Sequence, residues 1–263
     1  MKESRALPGP WLVRIKPCEQ PRLTLICFPF GGAGAGSFWE WGKALADDIE
    51  LWAVRLPGRE SRSTEEYVTS SEQAVACIVR ELKALRERKI VFYGHSMGAG
   101  LAYQTAMALR SMNEPLPELF IASGRMPPHK PYPGGWGERP DKELLDHVIK
   151  MGGIPAELSR NESILSLYLP KIRADFRLNE NLFYGRAPVF DFPITLINGV
   201  EDPLVQEDGL EEWREHTRGA VKSFKLPGGH FFLQSHAGEF LKLVANELAE
   251  ARPRLSSAPS NGS

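Results

Sequence analysis

The pentapeptide Gly94-His95-Ser96-Met97-Gly98 follows the apolar run Ile90-Val91-Phe92-Tyr93 and precedes a helical pattern. A chain that turns from a buried strand straight into a helix has no room for a Cβ two positions either side of the turn residue. Glycine at 94 and 98 therefore predicts a sharp elbow with Ser96 at its apex. Such a turn lifts the serine hydroxyl above the sheet and leaves the Met97 amide, which opens the new helix, facing the space where charge would develop on a substrate oxygen. Ser96 is the candidate nucleophile and the Met97 amide the first candidate oxyanion donor. With 24 glycines in 263 residues the pentapeptide also arises by chance, so the assignment needs an acid and a histidine at the ends of later strands.

Short apolar, β-branched or aromatic runs alternate with helical patterns along most of the chain, the signature of a mostly parallel sheet covered by helices on both faces. Strands are expected at Trp11 to Lys16, Leu23 to Phe28, Glu50 to Arg55, Lys89 to Tyr93, Leu119 to Ala122, Ile194 to Asn198 and Val221 to Lys225. Helices are expected at Phe38 to Asp47, Ala99 to Met112, Gly209 to Thr217 and Gly238 to Ala251. The clearest lies between the third and fourth strands, with Val75, Ile78, Val79, Leu82 and Leu85 on one stripe.

The alternation breaks between Gly124 and Phe192, where proline, glycine and charged residues precede two or three helical pieces: Asp141 to Met151, Asn161 to Tyr168 and Ile172 to Phe183. An excursion this long between two sheet strands is expected to form a lid over the site, about residues 125–192; a purely structural helical insertion is the alternative. The rest of 1–252 reads as one domain and Pro253 to Ser263, rich in Ser, Pro, Gly and Asn, as a disordered tail.

Asp202 follows the sixth expected strand in Gly199-Val200-Glu201-Asp202-Pro203, and His230 follows the seventh in Leu226-Pro227-Gly228-Gly229-His230-Phe231. The chain order Ser96, Asp202, His230 is that of α/β-hydrolases, whose catalytic loops converge at the carboxyl ends of neighbouring strands. His230 would take the serine proton and return it to the leaving group, and Asp202 would fix the imidazole tautomer and stabilise its cation. Asp202 could also be an ordinary Asp-Pro turn residue, and Glu201 is a second acid at the same corner. An acid at the end of the preceding strand is excluded, since Ser123-Gly124-Arg125 has no carboxylate. His95 is expected to bond locally, and His129, His147, His216 and His236 to sit in the insertion or on helical surfaces. The second oxyanion donor is expected in Pro29-Phe30-Gly31-Gly32-Ala33-Gly34, at Gly31 first and Phe30 second.

The 32 basic and 33 acidic residues nearly cancel, which removes the electrostatic case for nucleic acid or an anionic membrane. Cys18, Cys27 and Cys77 are dispersed and lack metal-ligand spacing, so neither a disulfide framework nor a metal site is expected, and no cofactor is implied. The first residues lack the apolar core of a signal peptide and no run approaches a membrane span, so a cytoplasmic protein is expected.

Six ordered motifs resemble type II thioesterases, the discrete enzymes that accompany polyketide synthases, nonribosomal peptide synthetases and, in animals, fatty acid synthase. They are Cys27-Phe28-Pro29-Phe30-Gly31-Gly32-Ala33, Arg55-Leu56-Pro57-Gly58-Arg59-Glu60, the elbow, Ser123-Gly124-Arg125, Ile172-Arg173-Ala174-Asp175 and Leu226-Pro227-Gly228-Gly229-His230-Phe231. The likeness covers about residues 11 to 250 and departs at Phe30-Gly31, where family members often carry His-Ala. It implies an α/β-hydrolase fold and hydrolysis of acyl groups from the phosphopantetheine arm of acyl or peptidyl carrier proteins, clearing misprimed or stalled units, with small acyl thioesters as further substrates and a monomer sufficient. Arg125, Lys130, Arg139 and Lys142 are either a patch for the phosphate or acidic surface of the carrier or a solvated basic edge. A general carboxylesterase or lipase on the same fold, and a non-catalytic interaction module, are the rival readings.

Overall fold

The computed structural model describes residues 9–132, 134–154, 157–182 and 189–256. Seven strands form one sheet: β1 (Leu12–Lys16), β2 (Leu23–Phe28), β3 (Ile49–Val54), β4 (Ile90–His95), β5 (Leu119–Ser123), β6 (Ile194–Gly199) and β7 (Val221–Leu226). Their spatial order is β1-β3-β2-β4-β5-β6-β7, with β1 antiparallel to β3 at one edge and every other pairing parallel. β2 to β6 are buried on both faces, which is why their sequences run apolar without polar alternation.

Successive side chains on a strand leave by opposite faces, and the core divides accordingly. Ile26, Phe28, Phe92, Phe120 and Leu196 meet the apolar stripes of α2 (Ser71–Leu82) and α3 (Met97–Ser111). Leu25, Cys27, Val91, Tyr93 and Ile121 meet Phe38, Trp41 of the short helix α1 (Trp41–Ala44), and Phe240, Val244 and Leu248 of the last helix. α2 begins where Ser70 caps it, accepting a bond from the Gln73 amide at 3.2 Å. Its buried Glu81 accepts the amides of Trp11 and Leu12 at 2.9 and 2.8 Å, fixing the entry to edge strand β1.

Several expected boundaries move. Phe38 to Asp47 is a 3-10 turn at 35–38 followed by the one-turn α1, and Gly209 to Thr217 is α6 (Glu207–Glu211) continued as a 3-10 turn through His216. In the insertion α4 (Asp141–Lys150) stands where expected, but the next two pieces are one helix, α5 (Glu162–Glu180), running straight through Pro170. Proline there removes the bond to the Ser166 carbonyl; both residues lie on the exposed side of α5, where water can take the orphaned acceptor. The expected end at Phe183 lies outside the described residues. After the single turn α7 (Phe232–Ser235), α8 (Ala237–Ser256) continues past the expected boundary at 252, because adding a residue to a formed helix costs far less than starting one. The remaining tail residues, 257–263, lie outside the described residues. No helix among the described residues is long and apolar enough to cross a membrane.

His216 is buried rather than on a helical surface. Its Nδ1 meets the Tyr103 hydroxyl at 2.8 Å, its Nε2 meets His129 Nδ1 at 2.8 Å, and His129 Nε2 meets Glu212 at 2.6 Å. Burial, reinforced by His129, pushes the His216 imidazole down from 6.5 to about 4. A group held below its ordinary value contributes stability that is intact above pH 6.5 and lost as pH falls toward 4, because the unfolded chain takes up the proton first. The melting temperature should therefore drop over that interval, and His216→Gln should remove part of the drop. An identical pH profile in the variant would exclude this role.

Candidate active site

The elbow is built by close approach. A Cβ at Gly94 would lie 2.4 Å from the Gly98 carbonyl carbon, and one at Gly98 would lie 2.2 Å from the Phe28 carbonyl oxygen. Between them Ser96 takes φ 51°, ψ −118°, a conformation that a serine holds only when its surroundings enforce it. Its amide bonds the Ser123 carbonyl at 2.8 Å, and its side chain makes no capping bond to α3, which leaves the hydroxyl uncommitted. Met97 is the first residue of α3, so its amide has no partner within the helix.

Asp202 and His230 come from the loops after β6 and β7. Those loops lie side by side: Val200 donates to the Leu226 carbonyl at 2.9 Å and Glu201 to that of Gly228 at 3.0 Å, and a Cβ at Gly199 would stand 2.4 Å from the Gly228 and Gly229 oxygens. Asp202 Oδ2 meets His230 Nδ1 at 2.8 Å, both side chains almost wholly buried, while Asp202 Oδ1 accepts the Leu204 amide at 2.9 Å. Glu201 points to solvent. Ser96, Met97, Gly31 and His230 line one cavity, with about 390 Å³ of free space counting its open mouth. No hydrogen bond joins the Ser96 hydroxyl to His230 among the described residues; such pairs are commonly loose before substrate binds. A larger cleft at the opposite, amino end of β5 and β6 holds none of these residues.

His95 backs the histidine. Its ring is fully buried, lies 4.8 Å from that of His230, and bonds Ser123 Oγ through Nδ1 at 2.9 Å. Burial, with the charge of His230 second, holds it well below the ordinary range, so it packs as a neutral ring. Gly124, at φ +57°, makes space for it: a Cβ there would lie 2.3 Å from His95 Cε1. The Ser123-Gly124 pair thus has a physical reason that strand-end reasoning about carboxylates missed.

Two further motifs, quoted above without a role, meet at the loop after β2. Asp175 on α5 accepts the Gly32 amide at 2.7 Å and both ends of the Arg59 guanidinium, at 3.0 and 2.6 Å; Arg59 also donates to the Ala33 carbonyl at 2.7 Å. Arg59 is 5% exposed and Asp175 1%. This bidentate pair pins the Gly31-Gly32-Ala33 segment to the insertion and so sets where the Gly31 amide stands. Phe30 packs its ring against His95 and Phe231 instead. Arg59 and Asp175 each stand among other charged residues in the sequence, so no local signal marks them as partners.

The insertion forms the outer wall of the cavity through Val148 and Met151 on the α4 side and Phe176 and Asn179 of α5, with Tyr132 ahead of them. Its basic residues are not a free patch. Arg125 is buried, bonding Asn179 and, at 3.0 Å, the Leu182 carbonyl; Lys130 pairs with Glu212 at 2.9 Å, Lys142 with Asp146 at 2.6 Å and Arg139 with Glu143 at 3.6 Å. Three of the four candidate patch residues thus face a carboxylate of the chain, two of them at i,i+4 spacing, and the fourth, Arg125, is buried against uncharged acceptors. Among the described residues no group of three or more His, Cys, Asp or Glu could hold a metal ion.

With this geometry stands a match of residues 23–248 to the thioesterase domain family. The chain belongs to the thioesterase family. This thioesterase, of the serine-hydrolase type, is 34% identical over 252 residues to linear gramicidin dehydrogenase LgrE of Brevibacillus parabrevis, covering 94% of this chain and 96% of the relative. RedJ, the thioesterase from the prodiginine biosynthetic pathway of Streptomyces coelicolor, superposes with a TM-score of 0.83 at 28% identity, covering 94% and 98%. YbtT, a type II thioesterase from the yersiniabactin NRPS/PKS pathway, superposes at 0.80 with 27% identity, covering 92% and 99%.

Asp175→Ala would leave Arg59 buried without its carboxylate, a change worth about 3–5 kcal/mol. The variant of this thioesterase should melt markedly lower and lose turnover. Asp175→Asn, which keeps the bond from Gly32, should recover more of the melting temperature than of kcat; full recovery of both would show that the pair has no bearing on the loop.

Proposed function

We propose that this thioesterase hydrolyses acyl groups from the phosphopantetheine arm of acyl or peptidyl carrier proteins, clearing misprimed or stalled units in nonribosomal peptide or polyketide assembly, as a cytoplasmic monomer without a cofactor. The observation that carries the mechanism is the 2.8 Å bond between Asp202 and His230 Nδ1, which commits that nitrogen and leaves Nε2 for the cavity where Ser96 stands. The titles of RedJ, from the prodiginine biosynthetic pathway, and of YbtT, from the yersiniabactin NRPS/PKS pathway, support the carrier-bound substrate.

Ser96 Oγ attacks the thioester carbonyl carbon as His230 Nε2 takes its proton, and Asp202 stabilises the imidazolium. The carbonyl electron pair moves onto oxygen, where the Met97 and Gly31 amides receive it. As the tetrahedral centre collapses the C–S bond breaks, and His230 returns the proton to the thiolate sulfur. Water then enters, gives its proton to His230 and attacks the acyl-Ser96 carbonyl, and the reverse transfer frees the acid and the serine. A thiol, with a reference pKa near ~8.5, needs less acid assistance than an alcohol, yet the same groups cleave oxygen esters. Thioester preference is therefore carried by family membership rather than by the geometry of these three side chains.

Ser96→Ala, with folding verified by melting, should reduce hydrolysis roughly 10⁴-fold or more and abolish the acyl-enzyme adduct in mass spectrometry. Retained activity would mean that another group attacks. The carrier substrate is tested by kcat/KM on an acyl-phosphopantetheinyl carrier protein against a matched small oxygen ester; a preference for the ester would return the protein to the general carboxylesterases.

A further inference from the structure

Besides Ser96 and His230 the cavity wall carries three polar side chains, Asp175, Tyr132 and Asn179, of which Asp175 is committed to Arg59 and Gly32. Asn179, 4% exposed, lines the cavity beside Tyr132, Phe176 and Met151. Its amide is oriented by Arg125, which donates to Asn179 Oδ1. A guanidinium carries only donors, so the side of the amide facing it must be the oxygen, and the NH₂ must face away. Arg125 cannot yield: its other arm bonds the Leu182 carbonyl at 3.0 Å, its own carbonyl accepts Trp213 Nε1 at 3.2 Å, and it lies over the Tyr132 ring at 5.7 Å. Gly100 leaves the room for it, since a Cβ there would stand 3.0 Å from Arg125 Cζ. Among the described residues no acceptor meets the Asn179 NH₂ and no partner meets the Tyr132 hydroxyl.

From this we infer that Asn179 is a specificity-determining residue whose Nδ2 donates to an oxygen carried by the acyl chain beyond the thioester. The preferred acyl groups of this site bear a hydrogen-bond acceptor, an oxo or peptide carbonyl, where a plain alkyl chain would leave the buried donor unpaired. The inference rests on the carrier-thioesterase reading above and narrows its substrate class. Tyr132, the second polar group on that wall, can accept or donate and reinforces the same end of the pocket.

Asn179→Asp tests it without disturbing Arg125, because the carboxylate keeps a partner for the guanidinium while the atom facing the cavity changes from donor to acceptor. Hydrolysis of hexanoyl, 3-oxohexanoyl and 5-oxohexanoyl carrier protein is compared in the natural protein and the variant, each with its melting temperature. For at least one oxo chain, the ratio of its kcat/KM to that of hexanoyl should fall roughly tenfold or more in the variant. Ratios unchanged within about twofold for both chains would overturn the proposal. If the natural protein hydrolyses none of the three, the thioesterase reaction itself has failed, which is a different result. Should Asn179→Asp not fold, calorimetry with the three acyl-pantetheines on Ser96→Ala protein decides: one oxo chain should bind more tightly than hexanoyl, and equal affinities overturn the inference.

Discussion

The contact between the first turn of α3 and the carbonyl of Phe28 is the constraint on which the rest depends. With nothing larger than hydrogen at Gly98, the helix lies directly against the end of β2, and with nothing larger at Gly94, β4 turns into it without a loop. That proximity holds Ser96 in its strained conformation, brings the Met97 amide next to the glycine segment after β2, and sets both at the carboxyl edge where β6 and β7 deliver Asp202 and His230. The strain is sustained because β4 is buried along its whole length and α3 from Met97 to Ala106, so relaxing the serine would displace packed core.

Much of this is legible in the sequence. The elbow, Asp202 and His230 were readable because each sits in a short loop immediately after a strongly apolar strand, so strand order and loop position suffice to place them. The glycine segment containing Gly31 was readable for the same reason. Arg59, Asp175 and Arg125 were not: their roles are set by partners 116 and 54 residues away, and nothing local in the sequence pairs them. The pieces that begin at Asn161 and Ile172 join in one helix through Pro170 because a breaker's cost depends on whether water can reach the freed carbonyl, which is a tertiary property. The supposed basic patch misled because a list of lysines and arginines omits the acids that fold beside them.

His216 shows the same limit from the other side. Its surroundings in sequence, Glu215 and Thr217, read as a polar surface, yet Tyr103 and His129 satisfy both ring nitrogens and allow it to be buried. His95 and Asp175 are buried and hydrogen-bonded in the same way beside the site, as Glu81 and Glu247 are away from it. They fix orientations that hydrophobic packing alone would leave adjustable.

The two helices over the cavity are not held alike. α5 is joined to the body by the buried Asp175 pair and by the Arg125 contacts at its carboxyl end, whereas α4 buries only Leu144 among its own residues and is tied to its neighbours by exposed pairs such as Arg173 to Asp141. Exposed pairs contribute roughly 0–1 kcal/mol each, far less than a buried bidentate one. The two walls over Ser96 therefore differ in what shifting them would cost: α5 is anchored through a buried charge that cannot be left unpaired, whereas α4 rests on exposed pairs that water can replace.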